Sequence, residues 1–120
     1  MFDVRQYWDY GDPASSQQRF EQLLSLLNTP EGQQKFGLAS QDVQAALLEI
    51  RAQIARTFSL RQDFDSAHQI LNGMEGDQDL RDRALAAYCL ERGRTYNSAG
   101  DRHQARPFFD QAILVGEDDQ

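Results

Sequence analysis

Cys89, His68 and His103 are the side chains that first invite a metal-ligand or nucleophile reading. They are scattered, with none of the paired spacings that zinc sites use. Cys89 stands beside Tyr88 and Leu90 in an apolar helical stretch, which reads as a buried thiol. The two histidines fall near the starts of helices and read as solvent-facing. The run Asp77-Gln78-Asp79-Leu80-Arg81-Asp82 has the carboxylates of a calcium loop but not its central glycine or its closing glutamate at the right distance. It reads as a helix start with a solvated face. There is no glycine-rich phosphate loop and no serine elbow. No catalytic residues, metal or cofactor are expected, and the chain reads as a non-enzyme. Tyr7, Trp8 and Tyr10 cluster near the N-terminus and read as a cover over the first core.

The bulk properties narrow the classes further. With 120 residues there is room for one domain or about three helix-pair repeats. The net charge of -7 argues against nucleic acid and against anionic membranes, both of which need a basic footprint. No run approaches the ~18 apolar residues of a membrane-spanning helix, and Met1 to Tyr10 lacks the basic-then-apolar order of a signal peptide. A single cysteine allows no internal disulfide, so a reducing, cytoplasmic setting is expected.

The elements that must position any site are helical. Ala and Leu together number 26 and Gln 15, against ten Val, Ile and Thr. β-Branched residues favour strands, and no useful segment alternates with period two. Punctuation and spacing predict six helices, at 1–10, 13–28, 41–61, 63–75, 79–98 and 101–115, with a connection over 29–40 and a frayed acidic tail over 116–120. Asp12-Pro13 opens the second, and Ser40 is expected to cap the third. That third helix carries one stripe of Val43, Leu47, Ile50, Ile54 and Phe58 and a second of Ala45, Ala52 and Ala55. Two such faces mean packing on two sides. Pro107 should disturb the last helix.

Three frames of the chain align with one another. A small or apolar residue (Val4, Ala55, Gly93) is followed after three residues by an aromatic (Tyr7, Phe58, Tyr96) and after eight by Asp (Asp12, Asp63, Asp101). A small residue follows four positions after Asp (Ser16, Ala67, Ala105), and a bulky one four beyond that (Phe20, Leu71, Phe109). The small residues allow close helix approach, the aromatic fills the space between neighbouring hairpins, and Asp caps the returning helix. Leu47, Ile54, Phe58, Ala67, Leu71, Gly93, Tyr96, Ala105 and Phe109 are expected to be largely buried.

This pattern resembles the tetratricopeptide repeat, a helix-turn-helix unit of about 34 residues. It covers nearly the whole chain except 29–40: a truncated first repeat over 1–28, a second over 41–76 and a third over 77–115. Ala86 to Glu117 matches best. The chain departs from the family where Arg51 and Cys89 replace its early aromatic and where Arg92 replaces the leucine before Gly93. The resemblance implies an all-α fold of antiparallel helix hairpins stacked as a short α-solenoid. It also implies that Arg5, Arg56 and Arg94, and Trp8, Ser59 and Asn97, line a concave groove, with Glu49, Ala52, Leu60, Leu90 and Ser98 completing its wall. Such an Arg ladder suits a protein or peptide segment bearing carboxylates.

The function expected is therefore a protein–protein interaction module. The alternative is a structural or oligomerisation unit, or the N-terminal part of a longer chain, because Phe108, Phe109, Ile113 and Leu114 cannot all point at the preceding hairpin. That alternative predicts a homodimer through Phe108 and Phe109, or a chain that continues past Gln120.

Overall fold

The computed structural model describes residues 3–118, and among these the regular elements are helices, with no strand. They are a 3-10 turn at Val4–Tyr7 and six α-helices: α1 (Pro13–Leu27), α2 (Pro30–Lys35), α3 (Ser40–Leu60), α4 (Phe64–Met74), α5 (Asp82–Ser98) and α6 (Arg102–Asp118). The all-α reading of the composition is correct.

The starts of α1, α4 and α6 have one cause. Asp12, Asp63 and Asp101 each turn a carboxylate oxygen onto the amide three residues ahead, at 3.1, 3.2 and 3.1 Å. These bonds satisfy donors that a helix start leaves without intrahelical partners. Gly100 ends α5 with φ of +88°, and the equivalent turn before α4 is made by Gln62 at +65°. A left-handed backbone is cheap for Gly and costly for Gln, so the second turn carries strain that the first does not.

α3 is the central element and packs against α1, α4 and α5, while α6 lies on α5. One face of α3 gives Leu47, Ile50 and Ile54 to a core shared with Phe20, Leu23 and Leu27 of α1. Its other face gives Leu48, Ala52 and Ala55 to a core with Ala67, Leu71 and Met74 of α4 and Tyr88 and Cys89 of α5. Phe58 and Ile70 touch both cores. Of the residues expected inside, Leu47, Ile54, Ala67, Leu71, Gly93 and Ala105 are buried, and Phe58, Tyr96 and Phe109 are half-buried.

Several sequence expectations are corrected. Over the described part of 1–10 there is only the 3-10 turn, and residues 1 and 2 lie outside the described residues. Trp8 ends the turn with an extended backbone. The 29–40 connection contains α2, capped by the Thr29 hydroxyl, which accepts the Gly32 amide and donates to the Leu26 carbonyl. Gly32 passes so close to Leu26 that a Cβ there would lie 1.9 Å from its carbonyl oxygen. Ser40 is inside α3 and not its cap. α5 begins at Asp82 because the Asp77 carboxylate holds the Asp79 amide at 2.9 Å and folds 77–81 into turns. α6 continues through Pro107 and on to Asp118, so 116–118 are helical, while residues 119 and 120 lie outside the described residues.

Candidate functional site

The seam between α3 and α5 gathers three of the six residues expected to act, Trp8, Arg56 and Arg94. Glu91 of α5 has a side chain only 1% exposed. Its Oε2 accepts a hydrogen bond from Arg94 Nη1 at 2.8 Å, and its buried Oε1 accepts none among the described residues. Burial pushes the Glu91 carboxyl upward, opposed by Arg94 and then by Arg56 from α3. Two guanidinium groups from neighbouring helices thus bear on one buried carboxyl.

Arg56 also meets the N-terminal segment. The Trp8 and Tyr10 rings stack 4.7 Å apart at an interplanar angle of 4°. The Arg56 guanidinium carbon lies 5.3 Å from the Trp8 centre and 5.0 Å from that of Tyr10, so it sits beside the stack and not between the rings. Trp8 is fixed there by its indole N–H, which donates to Gln53 Oε1 at 2.8 Å, and by an edge contact with Phe20. Cation–π contacts of this kind contribute about 0.5–1 kcal/mol at exposed sites. They also hold a long side chain in one pose.

The other expected groove residues are less tightly drawn in. Arg5 is 83% exposed and pairs with Asp3 at 3.1 Å, within electrostatic reach of Tyr10. Its hydrogen bonds hold the Asp3 carboxyl below the usual range. Ser59 is buried and donates to the Arg56 carbonyl at 3.4 Å. Asn97 is exposed. Of the expected wall, Leu60 and Ser98 are exposed, Leu90 is half-buried and Ala52 is in the core. Glu49 pairs with Arg83.

A second polar centre lies between α4 and α5. Arg92, standing where the family pattern has leucine, has a side chain only 4% exposed. Its Nη2 donates to Asn72 Oδ1 and Glu75 Oε1, both at 2.7 Å, and its Nη1 lies 2.7 Å from His68 Nδ1. Tyr88 closes the ring by donating to Glu75 at 2.6 Å. A guanidinium can only donate, so Nδ1 of His68 is the acceptor and the imidazole is neutral. This corrects the solvent-facing expectation for His68, whose ring also meets that of Tyr96 at a tilt, with centres 4.5 Å apart. His103 is exposed. Cys89 is fully buried, and burial raises its pKa, which makes a poor nucleophile.

No family model, curated protein or solved structure matches this chain. Among the described residues no group of His, Cys, Asp and Glu could hold a metal ion, and no helix is long and apolar enough to cross a membrane. The sequence did flag Arg92, through its departure from an apolar pattern. It gave no sign that Tyr10 would join Trp8 against Arg56.

Proposed function

We propose that this chain is a binding module and not an enzyme: a short tetratricopeptide-like array whose inner face takes an extended, carboxylate-bearing peptide. We take it to act in a reducing, cytoplasmic setting. The reading is supported by the three Asp caps at equivalent points and by the order of packing, in which α3 touches its own return helix α4 and the next long helix α5, and α5 touches its return helix α6. The observation that carries it is the pair Arg56 and Arg94, half-buried, facing one seam from two helices and pre-positioned by Trp8, Tyr10 and Glu91. Arginine held in one pose loses little freedom on gripping a carboxylate.

The test is the affinity of a labelled acidic peptide, read by fluorescence anisotropy. Among the described residues Arg94 is the only hydrogen-bond partner of the Glu91 carboxylate, so the variant should keep a donor there: Arg56→Glu with Arg94→Gln. Binding is expected to weaken about tenfold or more in the variant, whose circular dichroism should match the wild type. It should also weaken with added salt, since charges at the surface are screened within about 8–10 Å near physiological ionic strength. Salt-insensitive binding that survives the double substitution would refute the reading.

A second reading rests on α6. Phe108 is half-buried against Tyr88 and Tyr96, and Phe109 covers Gly93, but Ile113 and Leu114 are each 60% exposed. Adjacent exposed aliphatics suit an oligomerisation unit that pairs α6 with a second copy. Sedimentation should then show a dimer that Leu114→Glu dissociates. A wild type that stays monomeric at high concentration excludes it.

A further inference from the structure

A hollow of about 460 Å³ opens between the first turns of α3 and α5, within the range of about 300–1,000 Å³ typical of ligand sites. Its apolar surface includes Leu38, Ala45, Ala46 and Ala84. Its charged rim holds Asp42, Glu49, Asp79 and Asp82 against Arg81 and Arg83, four carboxylates to two guanidinium groups. We infer that this hollow is a second subsite of the same groove and takes a basic side chain, lysine or arginine, of the bound segment. The inference rests on the reading of the inner face as a peptide groove.

Glu49 is the reason to expect a cation. Its side chain is only 14% exposed and lines the hollow, and no described residue donates a hydrogen bond to it. Among the described residues its one ion-pair partner is Arg83 Nε at 3.4 Å, on a side chain 62% exposed that turns largely to water. A carboxylate with one loose ion pair at the wall of a hollow keeps acceptor capacity for an incoming cation. Asp77 close by shows the contrast, with one oxygen bonded to Gln44 and the other to the Asp79 amide. Burial accordingly raises the Glu49 pKa, with Arg83 offsetting part of the rise.

The position of the hollow supplies the rest. Glu49 and Arg56 are seven residues apart on α3, so they share a face, about 10 Å apart along the axis. A peptide in the polyproline II conformation, which repeats every three residues at about 3.1 Å each, covers that distance in about three residues and brings its side chain back to the same side. The seam therefore has an acidic end at Glu49 and a basic end at Arg56 and Arg94. It fits a segment with one basic and one acidic side chain about three positions apart, lying in one direction only.

The experiment compares three labelled peptides at low salt: one with a Lys-Ala-Ala-Glu core, one with its lysine replaced by alanine, and one with its glutamate replaced by alanine. The first is expected to bind about fivefold more tightly than the acid-only peptide. Glu49→Gln should erase that gain and leave the acid-only peptide unchanged. Asp42→Asn with Asp82→Asn, both at exposed positions, should reduce the gain without touching the core. If lysine adds less than about twofold, or if its gain survives Glu49→Gln, the inference is wrong and the acidic-peptide reading still stands. If only the lysine peptides bind, in a Glu49-dependent way, the hollow is right and that reading fails. If none of the three binds, both fall.

Discussion

Arg92→Ala is expected to cost about 2–4 kcal/mol, a loss of roughly 10 °C or more in melting temperature. The substitution removes charge-assisted bonds to Glu75, Asn72 and His68 together with a buried aliphatic stem. Bonds to charged groups contribute about 1.5–3 kcal/mol each when their partners cannot rehydrate. Here Asn72 and Glu75 lie at exposed positions and regain water, which keeps the loss at the lower end of that for a fully buried pair. Arg92→Leu should cost less than half as much, because it refills the space with an apolar side chain. A leucine variant as unstable as the alanine one would mean that the stability lies in the polar network and not in the packing.

The same network makes stability depend on pH in a definite direction. His68 has its pKa lowered, first by burial and then by the Arg92 charge. Such a base takes up a proton more readily in the unfolded chain. Its contribution is therefore complete above the ordinary value of about 6.5, and is lost as pH falls from there through the depressed folded value. Glu49 and Glu91 have raised pKa values and act in the opposite sense. The readout is thus the difference between wild type and His68→Gln, which keeps an acceptor for Arg92 but cannot protonate. Denaturation at stepped pH should show the wild type losing stability relative to the variant below pH ~6.5. Parallel curves would mean that His68 is not held neutral.

Gly93→Leu is expected to cost about 1–3 kcal/mol by overpacking. A Cβ on Gly93 would stand 2.8 Å from both Cδ1 and Cε1 of Phe109, closer than real contacts allow. The ring must then leave the α5 surface and give up its burial. Gly93→Ala meets the same ring but gains helix propensity worth up to about 1 kcal/mol, so it should be much milder. Phe109→Ala should be less harmful in the Gly93→Leu background than alone, with a coupling of about 0.5–3 kcal/mol in a thermal-melt cycle. Additive losses, or an unchanged melting temperature for Gly93→Leu, would mean that α6 does not pack through this pair.

What the sequence by itself determined is the set of features satisfied within a few residues of themselves. Asp12, Asp63 and Asp101 cap helices because the amide each serves is three positions away. Gly100 follows the end of α5 because only a local left-handed backbone is needed there. The two stripes of α3 foretold its two cores, since helical period alone decides which side chains share a face. The first segment misled because its fate is tertiary: the Trp8 indole reaches Gln53, forty-five positions away. Arg92 reads as a flaw in an apolar pattern until His68, Asn72 and Glu75 arrive from α4 to surround it. Glu49 with Arg83, and Arg56 beside Trp8 and Tyr10, likewise depend on how closely α3, α5 and the N-terminal segment approach. Helix periodicity assigns a charged side chain to a face. The distance and register between helices decide whether that face is a core, an ion pair or an open seam.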